Sequence, residues 1–330
     1  MKWLLWVCWL LLLTAGASAS GTAAEPTPAP PPPADVLVPL AAAEPLASDP
    51  ADTETAMPTA EPTPGLIPSP TPMPVTLQLS PLPLAPKEVP THRPTAHPRE
   101  TQHVPVLMYH HIAIPPENAD AIRLDLSVPP ASFEEQMAYF AAQGYHAVKP
   151  ADVYDAVVGG KPLPSNPIVF TFDDGYDDNY LNALPILKKF NFTGTFYIPT
   201  GLLARPGYMT WEQIALLEKS GMDIESHSVT HPSLKGKTAD FIRREAGQSK
   251  RALEAALGAP VQFFCYPAGA YDKTTIQVLQ ELGYLSATTT QAGAWQKPDE
   301  PYQWPRVRIH GKDRVSDVAQ RVRTLAGAAK

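Results

Sequence analysis

From residue 168 to 176 the chain reads Ile-Val-Phe-Thr-Phe-Asp-Asp-Gly-Tyr, five apolar or β-branched residues followed by two carboxylates and a glycine. A run without polar alternation suits a strand buried on both faces, as in a parallel sheet. Short apolar runs recur at 104–109, 193–198, 222–226, 263–266, 285–289 and 307–309. Helical signals fill the gaps between them. Ser132 with Glu135 forms a capping box for a helix to Gln143, closed by Gly144, and 152–158 is a shorter helix. Residues 180–190 read as a helix in which Pro185 requires a kink or a later start. Thr210 with Gln213 opens the next helix, and Gly258 and Pro260 stop a long one over 238–257. Further helices are expected over 274–282 and from Ser316. This alternation predicts an α/β fold whose parallel strands curl into a (β/α) barrel.

Upstream the pattern disappears. Of the 40 prolines, 22 fall between Glu25 and Glu100, in stretches such as Glu61-Pro-Thr-Pro. Such sequence cannot bury enough apolar surface to offset its ordering entropy, so 21–100 is expected to be a disordered Pro/Ala/Thr-rich stem. The first residues carry one lysine, an apolar run and then Ala17-Ser18-Ala19, the pattern of a signal peptide over 1–20. The run is short of the about 20 residues a membrane helix needs, and an uncleaved anchor is the alternative. One folded domain over 101–330 remains. Of the two cysteines, Cys8 lies in the leader, so Cys265 alone is left and the domain depends on core burial. A net charge of −7 offers no basic footprint and argues against nucleic acid as a partner.

Three clusters carry candidate chemistry. Asp173 and Asp174 end a buried strand, the end at which parallel α/β folds collect ligands. Two carboxylates at the rim of an apolar core require compensation, most simply a cation, although a solvated Asp-Asp-Gly turn has the same letters. His227 and His231 follow the strand at 222–226, and Pro232 favours a turn over a helix there. Two imidazoles and one carboxylate form a common catalytic zinc or iron set. In the third cluster, Phe263-Phe-Cys-Tyr-Pro-Ala-Gly, a strand breaks at Pro267 and Gly269, exposing backbone N–H groups of the kind that serve as oxyanion donors.

Together these residues resemble the polysaccharide deacetylases, the NodB-homology group of carbohydrate esterases, over about 103–311. Thr171-Phe-Asp-Asp-Gly resembles the family's first motif and His227-Ser-Val-Thr-His its second. The resemblance implies a distorted (β/α) barrel and a divalent metal, zinc foremost, held by Asp174, His227 and His231. It also implies Asp173 as catalytic base and the Ala268 N–H as oxyanion donor. Cys265 stands where the third motif usually carries an arginine that orients the base, and Arg306 is the substitute. The family's acid histidine usually follows the last strand, which nominates His310. Yet Pro105-Val-Leu-Met-Tyr-His-His resembles the poly-N-acetylglucosamine deacetylase branch, whose acid lies on an early strand, and this favours His110. His111 beside it is then structural.

The resulting expectation is a secreted or envelope-associated, monomeric N-deacetylase of N-acetylglucosamine-containing polysaccharide. An O-acetyl esterase on the same scaffold and an inactive wall-associated glycan binder remain open. A glycosidase is disfavoured, because adjacent aspartates cannot flank a glycosidic bond at about 5 Å or more.

Overall fold

The computed structural model describes residues 99–327, so the leader expected over 1–20 and nearly all of the stem expected over 21–100 lie outside the described residues. The strands are β1 (Gln102–His103), β2 (Val106–Tyr109), β3 (His146–Ala147), β4 (Pro167–Phe172), β5 (Thr195–Ile198), β6 (Asp223–Ser226), β7 (Phe263–Cys265), β8 (Ser286–Ala292), β9 (Trp295–Gln296) and β10 (Trp304–Arg308). Seven of them form a parallel ring in the order β2-β10-β8-β7-β6-β5-β4, closed by pairing of β4 with β2. The expected barrel is therefore present. β3 adds to the edge of β4, and β1 pairs antiparallel with β9.

The helices are α1 (Ala121–Leu126), α2 (Pro130–Ala142), α3 (Pro150–Gly159), α4 (Leu184–Lys189), α5 (Trp211–Lys219), α6 (Ala239–Leu257), α7 (Lys273–Glu281) and α8 (Val315–Gly327). Side chains along β4 divide by parity. Ile168, Phe170 and Phe172 join a core with Phe133, Phe140 and Leu187 from the helices, while Val169 packs with Val106 and Trp304 in a separate cluster. Thr171, on the face of Val169, donates to the Leu107 carbonyl at 2.7 Å. The unbroken apolar run at 168–172 thus reflects burial on both faces.

Several boundaries differ from expectation for local reasons. The helix expected at Ser132 starts at Pro130, whose fixed φ and missing N–H suit a first helical position, so Ser132 falls inside its first turn and Glu135 in its second. Over 180–190, a π-helical turn at Asn179–Ala183 leads into α4, which places Pro185 near a helix start. The Thr210–Gln213 capping box is formed, and Gly258 ends α6 with φ 67°. No α-helix lies between β8 and β10, where β9 and a 3-10 turn at Pro301–Gln303 make the crossover.

Candidate active site

Asp173 and Asp174 leave β4 at the carboxyl end of the barrel. Asp173 still donates its N–H to the Tyr109 carbonyl at 3.0 Å. Asp174 and Gly175 then both adopt left-handed backbone, each with φ 71°, and turn the chain sharply. An added Cβ on Gly175 would meet Pro199 Cδ at 3.2 Å, so a side chain there would be both strained and crowded. His227 follows β6 and donates its N–H to Ile198 O at 3.0 Å, which brings the second cluster to the same rim.

Three side chains converge there. Asp174 Oδ1 lies 3.4 Å from His227 Nε2 and 3.1 Å from His231 Nε2. One ligand atom from each of the three falls within 4.8 Å of the others. Nδ1 of His227 donates to the Cys265 carbonyl at 2.7 Å, which orients the ring and turns Nε2 toward Asp174. Tetrahedral zinc with ligand bonds of about 2.0–2.1 Å separates its donor atoms by about 3.3 Å, so these spacings fit such an ion. Asp174 and His227 are buried while the His231 side chain is 33% exposed, which leaves one side open to solvent. Burial alone would raise the Asp174 carboxyl, but hydrogen bonds from His227 and His231 hold it well below the usual carboxylate range.

Asp173 faces a different partner. Arg306 on β10 donates Nη1 to Oδ1 at 2.8 Å and Nη2 to Oδ2 at 2.7 Å, with both side chains buried. Burial would raise the Asp173 carboxyl, yet the charge and hydrogen bonds of Arg306, with His110 and His227 nearby, bring it below its ordinary value. Cys265 Sγ sits between the pair, 3.5 Å from Asp173 Oδ2 and 3.1 Å from Arg306 Nη2. Arg306 therefore supplies from β10 the guanidinium contact to Asp173 that Cys265 does not.

His110 Nε2 lies 3.9 Å from Asp173 Oδ2. Burial lowers the pKa of His110 despite the neighbouring aspartates, and its Nδ1 is buried without a hydrogen-bond partner. His111 turns away from this group: its Nδ1 meets Asp178 Oδ2 at 2.6 Å, and its ring stacks on Tyr176 with centroids 3.4 Å apart. His310 stands outside the cluster, paired through Nδ1 with Asp125 Oδ1 at 2.7 Å, while Arg308 takes the other Asp125 oxygen at 2.8 Å. Ala268 lies on the turn at Pro267–Gly269 directly after β7, with φ 52°. Asp173, Asp174, His227, His231, Arg306 and His110 are thus brought together, with Ala268 on an adjoining turn.

Two contributors escape a motif reading. The Cys265 carbonyl orients His227, a backbone role with no side-chain signature. Glu245 on α6 accepts from the backbone between the two histidines. Its only sequence signal is an acid among Ile242, Ala246 and Leu253, residues that α6 buries.

The family model for polysaccharide deacetylase matches residues 160–287. YxkH of Bacillus subtilis (strain 168), assigned by name to the polysaccharide deacetylases, is 30% identical over 206 residues, spanning 62% of this chain and 71% of that protein. The chain belongs to the polysaccharide deacetylase family. The fold agrees: the Streptococcus pyogenes deacetylase PplD, solved in complex with acetate, superposes with a TM-score of 0.62 at 29% identity over 66% of this chain and 97% of that one. A poly-β-1,6-N-acetyl-D-glucosamine N-deacetylase of Escherichia coli (strain K12) is 25% identical over 244 residues, covering 61% of this chain and 36% of that protein. Membership of this deacetylase family makes the chain a hydrolase with a polysaccharide as its substrate class, and the Asp174–His227–His231 set suits the family's metal dependence.

Proposed function

We propose that this protein removes N-acetyl groups from an N-acetylglucosamine-containing polysaccharide. The observation that carries this reading is the division of labour between adjacent aspartates. Asp174 faces two imidazoles, while Asp173 is held by Arg306. The similarity to the E. coli poly-N-acetylglucosamine enzyme supports the substrate class.

Asp174, His227 and His231 are the residues that would hold a divalent ion, and the two-nitrogen, one-oxygen set with an open side favours zinc. When bound, that ion supplies Lewis acidity to a water molecule and to the acetyl carbonyl. Asp173 takes the proton from the attacking water, and its low pKa keeps it ionised for that purpose. Arg306 fixes both of its oxygens, so the carboxylate cannot rotate away. The Ala268 N–H serves the oxygen that gains charge as water adds to the carbonyl, a positioned donor worth about 3 kcal/mol. His110, whose Nε2 lies 3.9 Å from the base, gives a proton to the nitrogen as the C–N bond breaks, releasing acetate and the free amine. His310 is the less suitable acid, because Asp125 engages it outside the cluster.

The lack of an arginine in the third cluster would favour an inactive glycan binder, and the contact of Arg306 with Asp173 weighs against that reading. The apolar leader and the Pro-rich stem support an enzyme working outside the cell or at its envelope, with the stem as spacer. Acetate release from chitin oligomers and from poly-N-acetylglucosamine, abolished by a chelator and restored by zinc, tests the reading. Release from O-acetylated sugar alone contradicts it.

A further inference from the structure

His227 and His231 are fixed by different means. His227 is anchored by the strand ladder and by the Cys265 carbonyl. His231 lies at the far end of the turn, with φ 60°, and its N–H donates to Ser228 Oγ at 3.0 Å. Ser228 itself has φ 69°. Two non-glycine residues in left-handed backbone persist only where their surroundings over-determine them.

The surroundings here clamp the turn from two sides. From the turn after β5, Thr200 N–H donates to the Ser228 carbonyl at 3.1 Å and Gly201 N–H to the Val229 carbonyl at 2.8 Å. Gly201 permits this approach, since a Cβ there would lie 2.8 Å from the Val229 oxygen. From α6, Glu245 supplies the acceptors. Its Oε2 takes the N–H groups of Val229 at 3.0 Å and Thr230 at 2.8 Å, and its Oε1 takes the Thr230 hydroxyl at 2.9 Å. Glu245 is 8% exposed and forms no ion pair among the described residues, so these three donors are what offsets its burial. One turn along α6, Ser249 meets Ser226 Oγ at 2.9 Å, tying the same helix face to the end of β6.

We infer that Glu245 is a positioning residue for the metal ligands, setting the His231 imidazole opposite Asp174 by holding the backbone between the two histidines. The inference rests on the reading of Asp174, His227 and His231 as a metal set. It is independent of which acyl group the enzyme removes. Reach decides the outcome more than charge does. A glutamine retains one oxygen for both backbone N–H groups, and the Thr230 hydroxyl can rotate to accept from its amide. An aspartate retains the charge but is one methylene too short to bridge both sites.

The test uses the full chain with Co²⁺ as a spectroscopic probe, its affinity measured by competition with a chelating dye. Thermal unfolding of the metal-free variants is followed in parallel. Glu245→Gln is expected to bind Co²⁺ within about threefold of the unaltered chain with the same visible absorption band, and Glu245→Asp about 10–100-fold more weakly with a shifted band. Thr230→Val, which keeps both backbone contacts, is expected to stay near the unaltered affinity and serves if the aspartate variant does not fold. Folded Glu245→Asp with full affinity and an unshifted band overturns the proposal, as does a glutamine variant that loses as much as the aspartate one. Co²⁺ binding without acetate release by the unaltered chain would instead sink the deacetylase reading and leave the role of Glu245 standing.

Discussion

Arg306 on β10 grips Asp173 at the end of β4, with β2 between the two strands in the ring, and its Nη1 and Nη2 each face one carboxylate oxygen at 2.8 and 2.7 Å. The pair is buried, and Cys265 Sγ, the Thr171 hydroxyl and the Thr289 carbonyl complete the contacts of the guanidinium. A lysine cannot reproduce this planar fork. Arg306→Lys is expected to lower kcat about 100-fold with little change in metal content, measured by acetate release and elemental analysis. Arg306→Met leaves a buried carboxylate without its partner and should cost about 3 kcal/mol of stability in urea unfolding.

The turn that carries Ala268 depends on Gly269. With φ 68°, an added Cβ would lie 2.1 Å from Thr290 Oγ1, an impossible distance, so the turn must move. Gly269→Ala is expected to reduce kcat by about 10-fold or more while Co²⁺ affinity stays unchanged, because the metal ligands lie on other strands. Equal loss of metal binding would show that the displacement spreads through β7 to His227.

Below the site, Asp223 on β6 is raised to about 6, mainly by burial, with Lys149 and the Thr195 hydroxyl acting in the other direction. A carboxyl whose folded pKa exceeds its unfolded value binds more protons when folded. Its contribution is therefore fully present below the unfolded value of 3.8 and is lost as pH rises through about 6. Asp173 and Asp174, both held low, act oppositely: their contribution is present above the unfolded value and fades as pH falls below it. Comparison with Asp223→Asn isolates the first effect. Relative to the unaltered chain, the variant should gain about 2 kcal/mol between pH 4 and pH 7 in urea unfolding. A difference independent of pH would contradict the raised value.

Much of this architecture was legible from pattern. Apolar runs marked the barrel strands because parallel strands are buried on both faces, and Thr210, Gln213 and Gly258 marked helix ends through local backbone chemistry. The start of α2 was misplaced because Pro130 competes with the Ser132–Glu135 signal and wins on backbone geometry. The Asp173–Asp174 pair and the two histidines could be grouped because both clusters follow strands at the same end of a parallel fold, whereas the choice of Asp174 as the ligand came from the family resemblance. The partnership of Arg306 with Asp173 spans 133 residues and depends on barrel closure, so the family resemblance could nominate the arginine but not its geometry. Glu245 has no motif at all: it acts on backbone groups, and only its place on a buried helix face marks it.

The most direct test of the two-aspartate division is metal content together with acetate release in Asp173→Asn and Asp174→Asn. Asp173→Asn should keep about one metal ion per chain and lose about 1000-fold or more in acetate release, whereas Asp174→Asn should lose the ion itself. The reverse pattern, with the ion lost from Asp173→Asn and kept by Asp174→Asn, would contradict the assignment of base and ligand.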